Sequence, residues 1–163
     1  MAITLDELPG VLKALRDKAA TAAPDCVMAI ADTYRDHLKN VTLRQSFAAP
    51  GQFGTPAPRG GPPAWRTGEL ARSVTSVLGA SSGLTARATV APHTIYAATQ
   101  ERGGVHEPVR ARYMHWVNDG GEWFKKRVSI PERPYMGPAL DQCIANGSLV
   151  ESAMEAFYAK VWG

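Results

Sequence analysis

The stretch Leu84-Thr85-Ala86-Arg87-Ala88-Thr89-Val90 alternates apolar and polar residues without a break. Successive strand side chains point to opposite faces, so a period of two marks a half-buried β-strand. Val74, Ser76 and Leu78 lead into Gly79–Gly83, and Pro92 ends the alternation. Residues 72–91 are therefore expected to form a β-hairpin. A second hairpin is expected over 113–130. Met114 and Trp116 point one way, Asn118-Asp119-Gly120-Gly121 supplies residues that tolerate positive φ, and Phe124, Val128 and Ile130 alternate with Trp123, Lys125, Arg127 and Ser129. Ile95 and Tyr96 belong to a helical turn over 93–100, which Gly103-Gly104 breaks.

Helices flank these hairpins. Residues 5–41 read as helix in two pieces. Leu12, Leu15 and Ala19 recur at helical spacing before Pro24, which suits the first turn of a second piece. The stripe continues through Val27, Ile30, Ala31, Tyr34, Leu38 and Val41, with Asp32, Arg35, Asp36 and Lys39 opposite. Toward the other end, Pro138, Leu140 and Ile144 mark a helix that stops at Asn146-Gly147. Ser148 and Glu151 have the spacing of a capping box for a last helix bearing Val150, Met154, Phe157 and Val161. The expected fold is α+β: a long N-terminal helix, an antiparallel sheet of two hairpins, and a C-terminal helix packed on that sheet. The 163 residues suit one domain.

Residues 45–66 differ in composition. Proline, glycine and small residues dominate, which excludes a regular helix or a central strand. Phe53 and Trp65 are unusual for a plain linker. An arm that orders against a neighbouring subunit and a simple surface loop both fit this composition.

Few chemical functions find support. Hydrophobic residues make up 45% of the chain, enough for a core. No apolar run approaches the roughly 20 residues that span a bilayer, and Met1–Glu7 does not read as a secretory leader. Net charge is +3 and the pI about 9.0, mildly basic. Cys26 and Cys143 both fall in helical segments and are expected to be free thiols, as in a reducing cytoplasm. His37, His93, His106 and His115 form no metal-ligand spacing. Gly60-Gly61 and Gly103-Gly104 lack the lysine of a phosphate loop, and no nucleophile-elbow pattern occurs. No catalytic residue, cofactor or metal is expected.

Cations gather late in the chain, at Arg102, Arg110, Arg112, Lys125, Lys126, Arg127 and Arg133. Tyr113, Trp116, Trp123 and Phe124 lie among them. Such a mixture can contact nucleic acid, but Glu107, Asp119, Glu122 and Glu132 are interleaved and no nucleic-acid motif is present. Alternating Lys125 and Arg127 equally suit the wet side of a strand.

Three segments together carry a family signal. Trp65-Arg66-Thr67-Gly68-Glu69-Leu70-Ala71-Arg72-Ser73 holds a Thr-Gly-x-Leu-x-x-Ser core. Ile95-Tyr96-Ala97-Ala98-Thr99-Gln100-Glu101-Arg102-Gly103-Gly104 is a tyrosine-alanine helix closing in an acid and glycine. Val128-Ser129-Ile130-Pro131-Glu132-Arg133-Pro134-Tyr135-Met136-Gly137-Pro138-Ala139-Leu140 runs into the last helical region. In this order the three resemble the neck or tail-completion proteins of long-tailed bacteriophages, which are related to phage virion morphogenesis proteins. The likeness covers about residues 65–145.

The resemblance implies a structural virion protein at the head–tail junction or upper tail, made in the host cytoplasm and not an enzyme. It implies a ring of identical copies that meets a tail terminator, a tail tube and a head-completion protein. Non-specific contact with passing DNA would follow, and no membrane. The alternative is a small DNA-binding accessory of phage packaging or regulation. The motif residues Thr67, Gly68, Leu70, Ser73, Tyr96, Ala97, Gly103, Pro131, Arg133, Pro134, Tyr135 and Pro138 are expected to be structural. Gly68 permits a tight turn, Pro131 and Pro134 end a strand, and Arg133 offers a planar fork to a carboxylate or to carbonyls.

Overall fold

The computed structural model describes residues 7–45, 57, 59–65, 67–118 and 121–162. The fold is α+β, with a long N-terminal helix, small antiparallel sheets and a C-terminal helix. Phe53, Arg66, Asp119 and Gly120 lie outside the described residues.

Helix α1 runs without interruption from Leu8 to Asn40, with Pro24 inside it. The expected long N-terminal helix is thus present, and it passes through Pro24 without the second start expected there. Proline removes one backbone donor, and its ring crowds the carbonyl four residues back, at Ala20. Packing on either side outweighs that cost: Ala22, Ala31 and Leu38 are all buried. The Thr21 hydroxyl also donates to the Asp17 carbonyl at 3.0 Å, a local bond that helices accommodate by bending. A 3-10 turn, Thr42–Arg44, follows.

The chain forms two compact units. The first holds α1 as far as Asp36, residues 75–91, and the chain from Gln142 onward. Strands β1 (Thr75–Leu78) and β2 (Ala88–Ala91) pair antiparallel, Thr75 with Ala91 and Leu78 with Ala88. Regular pairing begins four residues later than the alternation. Leu84 is exposed in the loop, where Ser82 and Thr85 bridge around Gly83. From Ala86 to Val90 the expected alternation of half-buried and exposed residues holds. Arg35 fastens the hairpin to α1: its guanidinium donates to Asp32, Asp36 and the Ser76 hydroxyl, and Ser76 donates to Asp32.

Helix α5 (Ser148–Trp162) lies beside α1 in this unit. Lys18 donates to the Val161 carbonyl at 3.2 Å and sits over the Trp162 ring, and Lys160 pairs with Asp25 at 3.1 Å. The expected capping box is replaced by another device. The Ser148 hydroxyl donates back to the Cys143 carbonyl, and the Asn146 side-chain oxygen accepts the Ser148 N–H at 3.0 Å. The Asn146 bond is a local side-chain turn two residues long, and the cap position itself is Gly147, at φ +75°, whose carbonyl accepts the Val150 and Glu151 N–H groups.

The second unit comprises His37–Val74 and Pro92–Asp141. It contains α2 (Glu69–Ser73), α3 (Ala97–Arg102), β3 (Gly104–His106), β4 (Met114–Asn118), β5 (Gly121–Lys125), β6 (Val128–Ile130) and the start of α4 (Met136–Ala145). β4 and β5 form the second hairpin, with Trp116 opposite Trp123. The long strand expected over 123–130 is corrected. It breaks at Lys126-Arg127, and its second half, β6, pairs with β3. Among the described residues there are thus three two-stranded antiparallel sheets.

Candidate functional site

The three motif segments all fall in the second unit, and they meet there. Trp65 begins the assembly. Gly68 adopts φ +70°, and a Cβ on it would lie 2.5 Å from the Trp65 ring. Glycine is the residue that allows this turn and this approach together. The Arg44 guanidinium stands over the same indole at 5.5 Å. Trp65, one of the two aromatics read as arm residues, is therefore half-buried among residues of its own chain.

From Gly68 the chain enters α2. The Thr67 hydroxyl accepts the Glu69 N–H at 3.4 Å, and Leu70 is half-buried. The Ser73 hydroxyl donates to the Leu70 carbonyl at 2.7 Å and accepts the His93 N–H at 3.2 Å. The Tyr96 hydroxyl donates to Glu69 at 3.5 Å, linking the first segment to the second. Burial, reinforced by the Glu69 charge, pushes the Tyr96 phenol up, so it remains a neutral donor at physiological pH.

The second and third segments are joined most tightly. Gly103 ends α3 at φ +66°, and a Cβ on it would fall 2.6 Å from the Glu132 backbone nitrogen and 2.8 Å from the Ile130 carbonyl. The Arg133 N–H donates to the Gln100 carbonyl at 2.8 Å. The Glu101 carboxylate accepts the N–H groups of Tyr135 at 2.9 Å and Met136 at 3.2 Å, the first donors of α4. A carboxylate there satisfies orphan amides and complements the helix dipole. The Tyr135 ring is fully buried, and its hydroxyl donates to the Ala97 carbonyl at 3.4 Å. Pro131 and Pro134 carry the chain from β6 to α4, and Pro138 sits in the first turn of α4, where a missing N–H costs little.

Arg133 is buried and spends its fork on carbonyls. It donates to Ala57 at 3.2 Å and to Pro131 at 3.4 Å. The Gly60 N–H donates to the Glu132 carbonyl at 3.2 Å. The described part of the 45–66 arm is thus tied to its own chain through the third segment.

These residues surround a concavity of about 410 Å³, with Trp65, Glu69, Tyr96, Gln100 and Arg133 on its walls. Glu69 and Tyr96 bind each other there, and Arg133 is engaged with backbone carbonyls. Among the described residues no three His, Cys, Asp or Glu side chains are grouped to hold a metal. No helix among them is long and apolar enough to cross a membrane. Cys26 and Cys143 are both free thiols. Burial pushes the Cys143 thiol up, which keeps it protonated and poorly nucleophilic.

Sequence reasoning missed Glu101. Its motif position was noted, but its partners lie 34 and 35 residues away, and no local spacing reveals a cap supplied at that distance. We expect Glu101→Ala to destabilise the protein by about 2 kcal/mol, since two charge-assisted bonds at a helix start are lost. Glu101→Gln keeps an acceptor oxygen and should lose less than half as much. Denaturant unfolding of the three proteins measures both.

No protein-family model matches the chain, and neither a curated protein nor a solved structure matches it.

Proposed function

We propose that this chain is a structural component of the head–tail junction of a long-tailed bacteriophage, a neck or tail-completion protein that acts as a ring of copies. The observation that carries this reading is the convergence of the three motif segments on one interlocked support. The side chains of Thr67, Ser73, Glu101, Arg133 and Tyr135 bind backbone, and Tyr96 binds Glu69 of the first segment, as scaffold residues do. Partners on this reading are further copies of the chain, a tail terminator, tail-tube and head-completion proteins, and the DNA that passes through.

Electron microscopy of intact virions, beside particles made without this protein, tests the proposal. Density for the chain at the head–tail joint, with separated heads and tails when it is missing, is the expected result. Normal particles that lack the protein would overturn it.

One observation favours the second reading, a DNA-binding accessory protein. Tyr113 is exposed and has two cations near its ring, Arg112 at 5.6 Å and Lys126 at 5.9 Å. Beside it, β5 is exposed along its whole length. Salt-sensitive duplex binding by the isolated protein, together with its absence from virions, would favour this reading over the connector.

A further inference from the structure

The apolar stripe of α1 is longer than the helix that covers it. Leu8, Leu12 and Leu15 recur at helical spacing, and the same face continues through Ala19, Ala22 and Cys26 to Ile30. α5 lies along the later part of this face. Its last turn meets Lys18, and Cys26 and Ile30 share a groove with it. Ahead of Lys18, α1 projects about 15 Å beyond the end of α5. On that projection Leu8, Leu12 and Leu15 are 42%, 57% and 44% exposed.

The groove between α1 and α5 has a volume of about 460 Å³ and an almost wholly apolar lining. Val150, Met154 and Tyr158 of α5 line it and are themselves 63%, 49% and 53% exposed. The two surfaces match in length, since each stripe covers about 10–12 Å of helix. They also match in charge. Lys13 and Arg16 are exposed beside the leucines, and Glu151 and Glu155 are exposed beside the groove. One copy cannot bring them together, because Leu15 and Cys26 lie about 16 Å apart along a single helix.

We propose that the overhanging leucine stripe of α1 docks into the α1–α5 groove of a second copy of this chain. The two surfaces are different, so the contact is heterologous, and its repetition generates a ring when the rotation between copies closes. The inference deepens the connector reading by naming the contact between copies, and it rests on that reading only for its biological setting.

Sedimentation velocity on the full chain tests it, with Leu12→Asp to spoil the stripe and Met154→Asp to spoil the groove. Both positions are exposed, and circular dichroism checks that each variant folds. The wild type should self-associate with rising concentration up to about 100 μM, where a contact of micromolar Kd is filled. Each variant alone should stay monomeric. An equal mixture should form dimers and stop, because it retains one intact stripe and one intact groove. Charge reversal gives an independent check. K13E/R16E and E151K/E155K should each associate at least about tenfold more weakly than the wild type, and should recover when mixed.

A monomeric wild type, undiminished association of either Asp variant, or a mixture that stays monomeric would overturn the proposal. If the contact fails while microscopy finds the protein at the joint, copies meet through another surface and the connector reading survives. If the contact holds and the protein is absent from virions, the connector reading falls alone.

Discussion

Gly103→Ala is expected to lower the melting temperature by roughly 10 °C or to prevent folding outright. Gly103 combines φ +66° with ψ −166°, a region essentially confined to glycine and costing other residues about 1–3 kcal/mol. A methyl group there also meets the Glu132 nitrogen and the Ile130 carbonyl at 2.6 and 2.8 Å. Both are backbone atoms beside the β3–β6 ladder, so no side chain can swing aside. Together the two terms amount to about 4 kcal/mol or more, a large part of a typical domain's stability. Gly137→Ala is the control. Gly137 lies in α4 with nothing beyond its chain neighbours within 4 Å of a Cβ, and there the helix propensity gained by alanine is offset by crowding from the following Pro138, so the change should stay within about 1 kcal/mol. Thermal unfolding should therefore show a large loss for Gly103→Ala and a small shift for the control. Equal, small shifts would show that the α3–β6 junction is looser than described.

Tyr135→Ala should cost about 3–5 kcal/mol, as truncations of large buried aromatics do. The ring has no exposed surface, and it sits where the second and third motif segments close on each other. Tyr135→Phe separates the ring from its hydroxyl. The bond to the Ala97 carbonyl is long, 3.4 Å, and its loss should cost no more than about 1 kcal/mol. Denaturant unfolding of both variants distinguishes the contributions. If phenylalanine costs as much as alanine, the hydroxyl rather than the packing holds this junction.

The sequence made the elements legible where one rule acted locally. The alternation through Val90 and the stop at Asn146-Gly147 appear as read, and the helical stripe holds as far as Leu38, whereas Val41, read as its last member, is exposed and lies just beyond α1. Pro24 misled because a local penalty was set against packing, which the sequence does not display; Ala22 and Ala31 bury themselves on either side of it. The run from Trp123 to Ile130 keeps one alternation while changing partners at Lys126-Arg127, and alternation records faces rather than partners. β3 is three residues long and opens on a glycine, too little for any periodic signal. Ser148 reads as the cap of α5, but Gly147 holds that position and Ser148 becomes the first helical residue, its N–H taken by the Asn146 side chain. At the motif cluster, the sequence identified Arg133 as a fork for carbonyls and Gly68 as a turn. It could not show that Glu101 caps α4, because the partners lie 34 and 35 positions further along the chain.

That cap has a kinetic meaning. The N–H groups of Tyr135 and Met136 both donate to one side chain of α3, so their protection is coupled to the formation of α3. Fraying of α3 is expected to weaken the protection of both amides together. Amide hydrogen exchange would then register the end of one helix and the start of the other as a single opening event, a cooperative unit assembled from two pieces of chain.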